Sequence, residues 1–253
     1  MDILIKINNQ TAGRDKIARL LQYISRFLWH RLQQSNKEGV VGIKNLEYQL
    51  STFRKCKEIL TILPRIVPNS IELLAIILRF GRFAEGLYTT LPLFHEENAA
   101  IRYSVILSKI ANSLFLLADH ILWLGRADFC SVDTEKWSRI SNKYWLYSIT
   151  MSLVRDFYEI SQIIRCQKHD IMPTNGINNF NDVLKIINTV LDIARRNKNV
   201  VIDTVKNGCD FFIPLTALGH VKLSPGTIGV LGAISSIAGL LVLLDPHKKL
   251  SPA

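Results

Sequence analysis

The chain has 253 residues, 48% of them hydrophobic, with a formal net charge of +10. That length suffices for one large helical domain or two small ones, so core size excludes nothing. Residues 1 to 70 hold 12 Lys or Arg against 5 Asp or Glu; this suits anionic lipid headgroups, at about 1 kcal/mol per surface cation, whereas the clustered basic face and motif of a nucleic-acid binder are absent.

The spacing predicts a first helix over 13–34. Ile17, Leu20, Leu21, Ile24, Phe27, Leu28 and Leu32 fall on one arc, with Arg19, Gln22 and Arg26 opposite and Lys16 at the boundary. A strong apolar face beside a basic one suits a helix lying in a membrane interface; the competing reading is a surface helix packed on a protein core. A second amphipathic helix is predicted over 43–63, where Lys57 interrupts the apolar arc and can snorkel.

The stretch 101–124 is more apolar but carries one polar stripe, formed by Arg102, Lys109, Ser113 and His120. A second stripe, Ser148, Ser152, Arg155, Glu159 and Gln162 with Asp156 at its flank, recurs over 144–164. Ionisable groups at membrane depth face partners, so the two stripes are expected to face each other, with Lys109 and Arg102 meeting Glu159 and Asp156. A polar linker is expected at 167–182, around Pro173 and Gly176.

Leu223 to Leu244 is uncharged throughout its 22 residues. As a helix it reaches about 33 Å, against a hydrocarbon core of about 30 Å. Gly229, Gly232, Ser235, Ser236 and Gly239 form small-xxx-small pairs, the residues that let helices approach closely in lipid. This is the predicted transmembrane span, and a short basic tail follows it.

Motifs for chemistry are missing. There is no Gly-rich phosphate loop, HExxH, GxSxG or paired cysteine, and the six histidines lack metal-ligand spacing. We therefore expect no enzyme activity, no cofactor and no metal. Cys56, Cys130, Cys166 and Cys209 read as reduced, largely buried thiols.

The segments Asp119 to Arg126, Lys136 to Ile160 and Val205 to Pro246, with the opening Arg14 to Tyr23, together resemble the peroxisomal membrane protein 11 (peroxin-11) family, specifically its animal alpha/beta-like members. The resemblance implies an all-α membrane protein of the peroxisome. Residues 1–98 would be an N-terminal amphipathic region, 99–166 a central membrane-associated helical pair, 167–182 the linker and 183–253 a C-terminal helix, span and tail. It implies both termini in the cytosol, hence an even number of crossings, with 101–124 the second candidate. It also implies self-association, alone and with related family members, elongation of the membrane, and recruitment of a dynamin-related fission GTPase with its membrane adaptors. The expected mechanism is wedge insertion: Leu20, Ile24, Phe27 and Leu28 enter one leaflet while Arg19 and Arg26 stay with the phosphates. Each apolar side chain transferred contributes about 1.5–3 kcal/mol. The rival reading is an oligomeric pore for small metabolites, lined by the polar stripes.

Overall fold

A computed structural model describes residues 11–35, 39–60, 81, 83–126, 131–167, 180–245 and 250. The centre of the predicted linker, the segment 61–80 and the basic tail lie outside them. Among the described residues the regular structure is helical throughout. The helices are α1 (Thr11–Gln34), α2 (Val40–Leu60), α3 (Ala99–Arg126), α4 (Thr134–Cys166), α5 (Phe180–Arg196), α6 (Lys198–Ala217) and α7 (Pro225–Leu244), with a short 3-10 helix over Leu91–His95.

Local signals in the sequence account for the ends. Asp133 caps α4, its carboxylate accepting from the Lys136 amide at 3.0 Å. Ser224 caps α7 by accepting from the Thr227 amide at 3.1 Å, with Pro225 at the first helical position, where its missing N–H costs nothing. Gly219, at φ +83, reverses the chain between α6 and α7, a conformation that glycine adopts without strain. The single C-terminal helix foreseen ahead of the span is two helices, α5 and α6, parted at Asn197.

The packing order is a row: α3 on α4, α4 on α6, α6 on α7, α7 on α1, and α1 on α2. α1 runs antiparallel along the whole of α7, Lys16 lying against Gly239, Tyr23 against Gly232, Phe27 against Gly229 and His30 against Gly226. α5 joins α6 but packs along no other helix among the described residues.

Two helices are long and apolar enough to cross a membrane, Ala99–Leu122 within α3 and Pro225–Leu244, which is α7. Only 39% and 33% of their apolar windows are buried, where the core helix of a water-soluble protein would be mostly buried. The apolar core itself is small. Among the described residues its one cluster is Leu93, Val105 and Ile106, packed by Ile101 and Ile110.

Candidate membrane interface

Many of the buried side chains are polar or charged. Arg19, Gln22, Ser113, His120, Ser148, Arg155, Asp156, Asn207, Asp210, Ser235 and Ser236 are all buried, while large apolar residues on every helix of the row are exposed. In water that arrangement would be costly on both counts. In lipid it is the favourable one, since ionisable groups turn to the bundle interior and apolar ones meet the acyl chains.

Three helices meet in the ionic core. Asp156 of α4, with no exposed surface, accepts from Asn207 of α6 at 2.7 Å and from its neighbour Arg155 at 3.0 Å. Arg155 also pairs with Asp203 of α6, which in turn holds Lys206 at 2.7 Å. Arg19 of α1 donates to Asp210 of α6 at 2.5 Å and lies 5.5 Å from the centre of the Tyr23 ring. Asp203, Lys206, Asn207 and Asp210 recur every three or four residues, so α6 offers one polar edge to α4 and α1 together. That periodicity was visible in the sequence and was the signal missed; a stripe on α6 is what the α4 stripe faces.

The foreseen α4 stripe does meet α3, but through the hydroxyl of Ser108, a residue outside the stripe foreseen on that helix. Ser108 of α3 donates to the Ser148 carbonyl at 2.9 Å and shares a hydrogen bond with the Ser152 hydroxyl at 2.8 Å. The expected pairing of Lys109 and Arg102 with Glu159 and Asp156 does not form. Lys109 donates to the Thr89 carbonyl at 3.4 Å and Arg102 to the Glu96 carbonyl at 3.2 Å. Glu159 lies 3.9 Å from Arg155, one turn away on its own helix. Serines at the α3–α4 contact let the helices close together, which leaves the long cations to reach outward to backbone carbonyls.

The faces of α1 are arranged differently from the expected interfacial helix. Arg19 is turned into the bundle. Arg26 pairs with Glu47 of α2 at 2.6 Å, and Trp29 donates to the same carboxylate at 2.6 Å. Gln22 accepts from Arg54 of α2 at 2.8 Å. Leu21, Ile24 and Leu28 are exposed, whereas Lys16, Ile17, Leu20 and Phe27 are half-buried. The basic face therefore discharges into protein partners, and an apolar ridge at i, i+3 and i+7 is left bare.

The small residues of α7 line its seam with α1. A Cβ on Gly229 would stand 2.8 Å from the Phe27 amide nitrogen, and one on Gly232 would enter the Tyr23 ring. Gly239 faces the Lys16 stem at 3.2 Å. Ser235 and Ser236 are fully buried, and the Ser236 hydroxyl returns to the Gly232 carbonyl at 2.7 Å. The opposite ridge of α7, Val230, Ile234, Ile237 and Leu241, is exposed. Packing of small residues thus serves the chain's own α1, which is a different use from the protomer contact expected. Of the described thiols, Cys166 is exposed and Cys209 half-buried, both free, so the expectation of buried cysteines fails at Cys166.

The chain matches the family described as Peroxisomal biogenesis factor 11 (PEX11) over residues 1–66 and 70–244. It is 28% identical to human peroxisomal membrane protein 11B over the full length of both chains. It is 30% identical to mouse peroxisomal membrane protein 11A over 99% of each, and 23% identical to a Dictyostelium discoideum homolog over 94% of this chain and 92% of that one. No solved structure matches it. With nearly the whole sequence covered by the family match, this all-α membrane protein belongs to the peroxisomal biogenesis factor 11 family.

Proposed function

We propose that this chain, a protein of the peroxisomal membrane, remodels and elongates that membrane and so promotes peroxisome fission and proliferation. The observation that carries this reading is an interior rich in ions and hydroxyls beneath outer faces that leave many leucines, isoleucines and valines exposed. A bundle so built displaces lipid over its whole outer surface. The ridge Leu21, Ile24 and Leu28 of α1 supplies apolar volume to one side of the row, with its arginines neutralised in the Arg19–Asp210 and Arg26–Glu47 pairs rather than held at phosphates. Self-association, alone and with related family members, then uses the exposed ridge of α7, because its glycine face is filled by α1. Concentrating such bundles gives a patch from which anionic lipids, a dynamin-related fission GTPase and its adaptors are engaged. Lys16 beside Gly239 sets the start of α1 and the end of α7 at the same end of the bundle, which favours both termini in the cytosol.

The test uses the full chain in vesicles containing anionic lipid. The triple variant Leu21→Ser, Ile24→Ser, Leu28→Ser should stay in the membrane after alkaline carbonate extraction yet lose tubulation seen by electron microscopy. Undiminished tubulation would refute the role given to α1. One observation favours the pore instead. A cavity of about 220 Å³ at the junction of α3, α4, α6 and α7 is lined by Ser108, Lys109, Ser152, Arg155, Lys206 and Asn207 together with the apolar Val105, Val242 and Leu250, a mixed lining that could admit a solute. Steady conductance in planar bilayers, abolished by Lys206→Gln, would turn the reading that way.

A further inference from the structure

α5 is more sharply two-sided than any other helix among the described residues. Ile187, Val190, Leu191 and Ala194 share one side, spaced by three, four and seven, while Asn188, Asp192, Arg195 and Arg196 occupy the other. In a water-soluble fold such a face is covered. Here Ile187, Val190 and Leu191 are 48%, 47% and 47% exposed, and among the described residues the helix packs along no other helix beyond its join with α6.

Its place in the fold says what covers it. Asn197 is the sole residue between α5 and α6. α6 turns at Gly219 into α7 and packs along it, so the start of α6 lies at the end of the bundle where α7 finishes and α1 begins. At that level the bundle passes from acyl chains to headgroups. The bare face of α5 continues into Val201 and Val205, the exposed apolar residues of the first turns of α6. Arg195, Arg196 and Lys198 cluster at the same corner and are exposed, a charge that suits anionic headgroups. An amphipathic helix leaving a membrane bundle at headgroup depth finds water on one side and hydrocarbon on the other, which is the pair of solvents its two faces require.

We propose that α5 is an in-plane membrane helix, lying in the headgroup–acyl boundary of the leaflet at the end of the bundle that holds the α1 start and the α7 end, with Ile187, Val190 and Leu191 turned into the lipid. The proposal rests on the membrane reading above. It adds apolar area to one leaflet only, which the through-going helices do not, and so gives the protein a built-in sense of curvature.

Depth measurement on the full chain tests it. With the four native cysteines replaced by serine, single nitroxide labels are placed through Ile187→Cys, Asn188→Cys, Leu191→Cys and Asp192→Cys, with Ile234→Cys on α7 as reference. The proteins are reconstituted in phosphatidylcholine–phosphatidylserine vesicles. Labels at 187 and 191 should collide preferentially with dissolved oxygen, as at 234, and those at 188 and 192 with a water-soluble nickel chelate. Equal nickel access at all four α5 positions, with 234 still in lipid, would overturn the proposal and leave the membrane reading intact. Shielding of 187 and 191 from both reagents would mean that protein, a second copy included, covers the face, and would equally overturn it. Nickel access at 234 would bring down the membrane reading itself.

Discussion

Replacing Arg19 with methionine should destabilise the folded bundle by about 3–5 kcal/mol, the cost of stranding one partner of a buried ion pair. Arg19 and Asp210 are 7% and 6% exposed, and they join α1 to α6 across 191 residues of sequence. Without the guanidinium, the Asp210 carboxylate is left in a site with little water and without the Arg19 attraction that held α1 to α6. Asp210→Leu strands the arginine in the same way. The double variant Arg19→Met with Asp210→Leu removes both ions and leaves apolar side chains of similar volume. Its stability should return close to that of the parent, since a buried pair replaced by packed hydrocarbon is often neutral. Equilibrium unfolding in mixed detergent micelles, scored by helical circular dichroism, measures all four proteins and closes the cycle. Single variants as stable as the parent would mean that α1 is not held to α6 by this pair. The result also separates two pictures of α1. A helix resting on headgroups through Arg19 would lose vesicle binding on Arg19→Met and show no coupling to Asp210.

Why the sequence showed so much of α1 and so little of its orientation follows from that pair. A period of 3.6 says which residues share a face, and Leu21, Ile24 and Leu28 stood out on the wheel. It does not say which face has company. In water the apolar side is the covered one, and the basic side of α1 was accordingly assigned to solvent and phosphate. In lipid the preference reverses, and the decision passes to the partner. Arg19 needed Asp210, and Arg26 needed Glu47, one far along the chain and one on the next helix. The same reasoning explains α4. The residues Ser148, Ser152 and Arg155 face protein, yet only the placement of α6 selects Asp203 and Asn207 over Lys109 for the charged end. The span 223–244 was legible because length and lack of charge are local properties that no partner can alter. α5 was legible only as part of one C-terminal helix from 183, since the single residue Asn197 parts it from α6 and Ile187, Val190, Leu191 and Ala194 keep a helical spacing up to that break.

Gly232→Leu should be the most damaging single change on α7, because it strikes the tightest side-chain contact of the α1–α7 seam. A Cβ at this position would stand within 2.5 Å of the Tyr23 ring, a side chain only 5% exposed and walled in on its other side by the guanidiniums of Arg19 and Arg26. A ring so deeply buried has little room to yield, so α1 is expected to move off α7. Overpacking of this kind costs about 1–3 kcal/mol and sometimes more; here the displacement also pulls on the Arg19–Asp210 pair, so the upper part of that range is expected. Gly208→Ala on α6 is the matched control. Nothing lies within 4 Å of a Cβ there, and a glycine replaced within a helix should return about 0.5–1 kcal/mol of stability. Unfolding midpoints in the same micelles should therefore move in opposite directions for the two glycines. If Gly232→Leu instead leaves the midpoint unchanged while weakening cross-linking between copies, the glycine face serves the protomer contact and α1 does not occupy it. A fall in stability with self-association preserved identifies the seam as internal, and the exposed ridge of Val230, Ile234, Ile237 and Leu241 becomes the surface through which copies meet.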